Sequence, residues 1–280
     1  MGFAKYAEDN LSRFHSATVI REREHERLKG EQSTEDEKQN SKGQGAKKMQ
    51  EQQVKSRMKD FAAAKARPLP VIVLADASGS MIENGKIDVL NQALKEMVKS
   101  FATESRIKAE IQVGLITFGG DSAQMHLPLA PAHQIVNMQP IPAVGATPMG
   151  QAFALAKDVL EDHELIPSRA YRPVLILVSD GLPTDDWERE FQALQASERA
   201  QKATRFALAI GDDADEVVLG KFANDREAPV FKTHQVREIH RFFRAVTLSV
   251  TSRTASANPD HPLGLTFEEA PEDEALDLDF

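Results

Sequence analysis

Three short stretches of this chain place oxygen-bearing side chains where a divalent cation could be held. In the first, Asp76, Ser78 and Ser80 form the pattern D-x-S-x-S directly after the apolar run 71–75. Carboxylate and hydroxyl oxygens are hard ligands, which suit Mg²⁺, Mn²⁺ or Ca²⁺. The glycine between the two serines lets the backbone bend so that both hydroxyls can turn inward. This spacing therefore predicts a metal-binding loop.

Two stretches further along the chain offer matching groups. Thr147 precedes a proline and an apolar-periodic segment, a pattern that is also typical of a helix N-terminus. Asp180 follows a second buried apolar run, 174–178, as an ordinary strand-to-turn Asp would. Because open α/β sheets bind ligands beyond the carboxyl ends of their strands, we expect these groups to meet at one edge of a sheet. Each stretch alone has an ordinary structural explanation, but the three together in this order are specific.

Strands and helices alternate in the predicted secondary structure. Apolar, β-branched runs predict buried strands at 71–75, 107–118, 174–178, 206–210 and 230–231. Apolar residues at three- and four-residue steps predict helices at 86–103, 148–162, 186–203, 215–223 and 236–249. Asp185, with Glu188 three residues later, predicts a capping box for the third of these helices. The glycine pair at 119–120 predicts a hairpin into an antiparallel edge strand at 123–129. The expected fold class is α/β, with a doubly wound, mainly parallel sheet and one antiparallel edge strand.

The three stretches together resemble the metal-ion-dependent adhesion site of von Willebrand factor A (VWA) domains. The resemblance covers residues 68–250, and within it the stretch 180–187 is most similar to the bacterial tellurium-resistance-type VWA proteins. It implies a Rossmann-like VWA fold and a metal site of five residues: Asp76, Ser78, Ser80, Thr147 and Asp180. The two serines are expected to bind the cation directly, and the threonine to join them when the site is engaged. By the same resemblance, the two aspartates act largely through bound waters and hold the hydroxyls in place.

A site of this kind is suited to binding a carboxylate from a protein partner. Two aspartates leave the cation, Mg²⁺ or alternatively Mn²⁺ or Ca²⁺, close to neutral with one open position, which an Asp or Glu of a partner would complete. The resemblance implies a metal-dependent protein-protein interaction module, an adaptor subunit of a bacterial multi-component stress-response or phage-defence system. The partner is another protein, the chain's own acidic tail or a second copy. Residues beside the metal ligands are expected to contact it: Gly79, Met81, Pro148, Gly181 and Asp185.

Two other functions stay open at this point. The cation could activate water as in a metal-dependent phosphoester hydrolase, or the site could be silent in a structural subunit. The sequence places no His or Lys near these loops as a base, since His126, His133 and His163 fall elsewhere. The chain is therefore predicted not to be an enzyme.

Composition bounds the remaining possibilities. The net charge of −9 argues against nucleic acid as the main partner. Without cysteine, disulfides and thiolate metal sites are excluded. There is no signal-peptide pattern, and no apolar run reaches the roughly 18 residues that a membrane span requires. A cytoplasmic protein without membrane contact is expected.

The two ends of the chain differ from the middle. Residues 1–67 predict a helical arm with a flexible linker at 30–46, where apolar periodicity is missing. Residues 68–250 form the predicted VWA domain, and residues 251–280 an acidic, disordered tail. From residue 254 onward this tail has eight acidic residues and no Lys or Arg.

Overall fold

A six-stranded sheet forms the centre of the computed structural model, which describes residues 66–104, 107–223, 230–261, 264–265 and 267. Its strands, in chain order, are β1 (Arg67–Asp76), β2 (Ala109–Gly119), β3 (Ser122–Pro131), β4 (Val174–Ser179), β5 (Thr204–Ile210) and β6 (Phe231–Thr233). They lie side by side in the order β3-β2-β1-β4-β5-β6. All neighbouring strands are parallel except β2 and β3, which form an antiparallel hairpin at the edge. The predicted mainly parallel sheet with one antiparallel edge strand is confirmed.

Helices connect the strands and cover both faces of the sheet. They are α1 (Lys86–Thr103), α2 (Met149–Glu161), α3 (Trp187–Ala196), α4 (Glu198–Lys202), α5 (Glu216–Phe222) and α6 (Glu238–Ala255). The single helix predicted at 186–203 is wrong, because it is interrupted at Ser197. Extended backbone at that serine separates α3 from α4, and its hydroxyl caps α4 by accepting a hydrogen bond from the Ala200 N–H.

The first strand is buried along its length because helices pack on both sides of it. Val71, Val73 and Ala75 face a core shared with α1 and α6, including Leu94 and Phe242. The alternate β1 side chains, Ile72 and Leu74, face a second core. Helices α2, α3 and α5 contribute Phe153, Phe191 and Leu219 to it. This two-sided burial explains why the β1 sequence is continuously apolar rather than alternating.

Residues after α6 lie against the end of the sheet opposite Asp76. Burial lowers the pKa of Arg253 to about 10, and its guanidinium donates hydrogen bonds to the backbone carbonyls of Pro259 and Arg172, both at 3.0 Å. Asp260 accepts from the Arg172 N–H at 3.0 Å and forms an ion pair with Arg67 at 3.4 Å. Part of the segment that the sequence assigned to the tail thus contacts the domain.

The remaining predictions for the chain ends fall on other residues. The arm and linker before residue 66, and the acidic stretch from residue 268, lie outside the described residues. In the part that the structure describes, no helix combines the length and apolar character of a membrane span.

Candidate metal centre

The two aspartates come together because they follow adjacent parallel strands. The register of β1 and β4 pairs Ala75 with Val178, so Asp76 is level with Ser179, and Asp180 is the next residue along. From this edge the chain leaves β1 toward β2 on one side and β4 toward β5 on the other. Such a switch point opens a crevice at the carboxyl ends of the strands, where α/β sheets bind their ligands.

A continuous set of hydrogen bonds links four of the five predicted metal residues. Asp76 is fully buried; it accepts from the Ser78 N–H at 2.8 Å and from the Ser179 hydroxyl at 2.5 Å. The hydroxyl oxygens of Ser78 and Ser80 are 3.0 Å apart, and Ser80 donates to Asp180 Oδ1 at 2.7 Å. Sequence reasoning missed Ser179, although its place immediately before Asp180 at the end of a buried strand could have indicated it.

The fifth residue, Thr147, reaches the same place from the loop before α2. It is nearly buried, and its hydroxyl oxygen lies 3.9 Å from the point where a β-carbon on Gly181 would be. The structure therefore brings residues from three separate loops to one edge of the sheet.

The spacing of these oxygens fits a hard divalent cation. Ligands in an octahedral Mg²⁺ site lie about 2.0–2.1 Å from the ion, so that neighbouring ligands are about 3 Å apart. The oxygen pairs Ser78–Ser80 and Ser80–Asp180, at 3.0 and 2.7 Å, are close to this separation. All five side chains offer oxygen alone, the donor type that Mg²⁺ and Mn²⁺ prefer.

Burial sets the acidity of the carboxylate at the base of the site. Desolvation raises the pKa of Asp76 to about 6, although the hydrogen bonds from Ser179 and Ser78 act to lower it. Because folding raises this pKa above the unfolded value of 3.8, the folded state binds the proton more tightly. The resulting stabilisation is complete below the unfolded pKa and is lost as the pH rises through about 6.

The Asp76→Asn variant should therefore be more stable than the wild type at neutral pH when metal is chelated. Asparagine keeps a polar group between Ser78 and Ser179 but does not ionise. We expect the variant to be about 3 kcal/mol more stable at pH 7.5, and the gap to close toward pH 4. Urea unfolding in EDTA across this range measures it. A gap that does not change with pH would contradict the assignment to Asp76.

A lysine also enters the site, which contradicts the prediction that none lies near these loops. Lys86 Nζ donates to Asp180 Oδ2 at 2.8 Å; the Asp180 side chain is 0% exposed and that of Lys86 only 13%. Lys86 is the first residue of α1, where a positive charge opposes the helix dipole. That unfavourable position was a sequence signal for an acidic partner nearby.

Backbone contacts between the loops hold the site residues in place. The Ala77 N–H donates to the Phe118 carbonyl at 2.9 Å, and the Val144 N–H donates to the Ala77 carbonyl at 2.7 Å. A β-carbon on Gly119 would overlap the Ala77 carbonyl, so only glycine permits this close approach.

A clasp of hydrogen bonds joins the Thr147 loop to the loop after β4. The Thr147 N–H donates to the Thr184 hydroxyl, and the Thr184 N–H donates to the Thr147 carbonyl, both at 3.0 Å. The Asp185 carboxylate accepts from the N–H groups of Gly150 at 2.9 Å and Gln151 at 3.0 Å. Asp185 thus satisfies free N–H groups at the start of α2.

The predicted capping box at α3 is accordingly wrong. Helix α3 begins at Trp187, and the residue at its N-cap is Asp186, whose side chain makes no capping hydrogen bond. The carboxylate of Asp185 is directed to the N-terminus of α2, a helix that is distant in sequence.

The structure separates the five residues that were expected to contact a partner. Met81 is fully buried in the core and Pro148 is also buried, so neither offers a surface to a partner. Gly79, Gly181 and Asp185 are partly exposed.

Sequence reasoning instead missed three exposed aliphatic residues in the same loops, because periodicity does not distinguish them from core residues. These residues, here named the apolar rim, are Ile82 (61% exposed), Val144 (59%) and Leu182 (64%).

Comparisons with known proteins agree with this fold. Among solved structures, proximal thread matrix protein 1 from the mussel byssus, with a zinc-occupied MIDAS motif, is 19% identical over 67% of this chain and 48% of that chain, with a TM-score of 0.53. A von Willebrand factor type A structure from Catenulispora acidiphila is 20% identical over 66% of this chain and 42% of that one, with a TM-score of 0.51. The pilus adhesin SpaC from Lactobacillus rhamnosus GG is 14% identical over 67% and 31%, with a TM-score of 0.52.

The chain spans less than half the length of each of these three proteins. No curated protein matches its sequence. The family model of the von Willebrand factor type A domain, however, matches residues 71–245, which is more than half of the chain. The chain therefore belongs to the von Willebrand factor type A domain family.

Proposed function

We propose that this protein is a metal-dependent protein-interaction module that binds a carboxylate of its partner through a divalent cation. The observation that carries the proposal is the pair of hydroxyl oxygens of Ser78 and Ser80, which lie 3.0 Å apart like neighbouring ligands of an octahedral ion, with the Ser80 hydroxyl oriented by Asp180. Asp76 and Thr147 complete the site. When bound, the cation supplies a positively charged coordination position to a ligand carboxylate. Interaction through such domains is common in this family.

The chemistry of the donors favours Mg²⁺ or Mn²⁺ as the resident cation. The mussel relative has zinc at its MIDAS motif. Zinc sites in proteins are usually built from cysteine and histidine, whereas the five residues here offer only carboxylate and hydroxyl oxygens. In this proposal Ser78, Ser80 and Thr147 hold the cation, while Asp76 and Asp180 balance its charge and orient the hydroxyls.

The apolar rim supports a protein as the partner. Ile82, Val144 and Leu182 come from three different loops, and each lies within three residues of a predicted metal residue. Protein interfaces commonly combine a buried polar anchor with surrounding apolar contacts that exclude water. A partner carboxylate flanked by apolar side chains satisfies both features of this surface, whereas a phosphoester substrate would leave the rim unused.

The hydrolase alternative requires a base beside the cation. Lys86 is the candidate by distance, but the ammonium that pairs with the buried Asp180 carboxylate has no lone pair with which to accept a proton. Within the described ranges, no cluster of three or more His, Asp and Glu side chains could hold a second metal ion. We therefore propose a non-catalytic role.

A bacterial, cytoplasmic setting is part of the same proposal. The similarity of residues 180–187 to the tellurium-resistance-type proteins favours an adaptor subunit in a multi-component stress-response or phage-defence system. Copurification with products of neighbouring genes, in the presence and absence of EDTA, tests this setting. A partner retained equally well in EDTA would contradict a metal-dependent adaptor.

Binding to an array of peptides tests the proposed function directly. Each peptide centres one Asp or Glu between apolar residues, and one peptide carries residues 268–280 of this chain, which include Leu276, Asp277 and Leu278. We expect binding that requires Mg²⁺ and is lost when the acids are replaced by amides. Ile82→Ser and Leu182→Ser should each weaken the binding about tenfold.

The matched control is Ile107→Ser. Ile107 is an aliphatic residue that is 88% exposed; it precedes β2 and so lies at the opposite end of the sheet from the site. This variant should bind as the wild type does. If amide peptides bind equally well, or if no peptide requires Mg²⁺, the proposed function fails.

A further inference from the structure

We propose that Lys86 acts as a tethered cation that competes with the divalent ion for Asp180. The inference rests on the proposed metal site and deepens it. In the metal-free domain the ammonium neutralises Asp180. When the divalent cation binds, it replaces the ammonium as the counter-ion of Asp180, and the ammonium leaves Asp180 Oδ2. Lys86 thereby weakens metal binding and adds positive charge to the loaded site.

The contacts of Asp180 carry the first step. Its side chain is fully buried and both of its oxygens are occupied: Ser80 donates to Oδ1 at 2.7 Å and Lys86 to Oδ2 at 2.8 Å. A buried carboxylate without a counter-ion is costly, because the interior solvates charge poorly. Lys86 therefore occupies the electrostatic place that a metal ion would take.

The position of Lys86 in the chain allows it to leave. It follows the short 3-10 segment Gly79–Gly85, which is kinked at Asn84, and it begins α1 behind Gly85 at a φ of 69°. Part of its side chain reaches solvent, and its ammonium is carried on a flexible four-carbon stem. The ammonium can thus swing outward without moving the helix.

The total charge of the site gives the second step. Two carboxylates would leave a bound divalent cation neutral overall, whereas the nearby ammonium leaves one net positive charge. Because repulsion between cations is strong at short range, this charge lowers metal affinity. The same charge attracts an anionic ligand. Lys86 would therefore favour the ion together with a partner carboxylate over the ion alone.

The experiment compares wild type, Lys86→Met and Lys95→Met by calorimetric titration with MgCl₂. Lys95 is an exposed lysine on the same helix and serves as the matched control. We expect Lys86→Met to bind Mg²⁺ about tenfold more tightly than the wild type, and Lys95→Met to be unchanged. In EDTA, Lys86→Met should unfold at a lower temperature than either of the others, because Asp180 then lacks a counter-ion.

Tighter Mg²⁺ binding combined with a lower unfolding temperature distinguishes competition from a merely structural role. In a structural role, the loss of stability would accompany equal or weaker metal binding. Lys86→Gln, which keeps a hydrogen-bond donor without the charge, provides the same test if the methionine variant does not fold. If the wild type binds Mg²⁺ and both variants bind it equally or more weakly, the inference about Lys86 is wrong while the proposed function stands. If neither wild type nor variants bind a divalent ion, the proposed metal site fails and the inference fails with it.

Discussion

Replacing Asp76 by asparagine is expected to weaken the binding of Mg²⁺ or Mn²⁺ by about 100-fold. The variant removes one of the two carboxylates that balance the charge of the cation. The amide can still accept from the Ser78 N–H, and it can donate to the Ser179 hydroxyl, which also lies 3.4 Å from the Gly181 carbonyl. The fold should therefore persist while the site is lost. Calorimetric titration measures the affinity, and far-ultraviolet circular dichroism confirms that the variant is folded.

The control for this variant is Asp88→Asn. Asp88 is an exposed acid in the first turn of α1, and its replacement removes one negative charge without touching the site. Its metal affinity should match that of the wild type. Unchanged metal binding by a folded Asp76→Asn protein would show that the cation is held elsewhere.

Among glycine-to-alanine substitutions in the part of the chain that the structure describes, Gly119→Ala should cause the largest loss of stability. The new methyl group would overlap the backbone carbonyl of Ala77, and neither β1 nor β2 can shift without breaking the hydrogen bond from the Ala77 N–H to Phe118. We expect a loss of about 3 kcal/mol or more in the free energy of unfolding. Urea denaturation in EDTA measures this quantity without a contribution from metal.

Gly220→Ala provides a control of opposite sign. Gly220 lies within α5, and a β-carbon there would meet only the side chain of Val230, at the ordinary contact distance of 3.9 Å. Alanine is the better helix former, so we expect this variant to be stabilised by about 0.5–1 kcal/mol. Equal stabilities for the two alanine variants would rule out the close backbone approach at Gly119.

The meeting of the five candidate metal residues at one edge of the sheet could be predicted because each is marked by its local sequence. Asp76 directly follows one continuous apolar run, and Asp180 follows a second one after a single serine, so parallel pairing of those runs leaves their ends at one edge. Lys86 was missed, and Asp185 was assigned to the cap of the wrong helix, because the partners of both residues are far away in the sequence. Their contacts depend on which loops approach each other, and helix and strand periodicity carries no information about that.

The start of β1 shows a similar limit within the fold. The apolar run predicted this strand from residue 71, after Pro68 and Pro70, which cannot donate backbone hydrogen bonds. In the structure β1 pairs with β2 from Arg67 onward but with β4 only from Val71. The prolines therefore lie where β1 pairs with a neighbouring strand on one side only. Whether a proline terminates a strand depends on that neighbour, which the local sequence does not reveal.

The clasp between Thr147 and Thr184 has a consequence for engineering new binding specificities. The backbone N–H and carbonyl of Thr147 are both paired with Thr184. Asp185, in the same loop as Thr184, caps α2, the helix that follows the Thr147 loop. A loop transplanted alone from another domain would leave half of these groups unpaired and the start of α2 uncapped. Residues 145–151 and 181–187 should therefore be exchanged together, as one cassette that carries both Thr147 and Asp185.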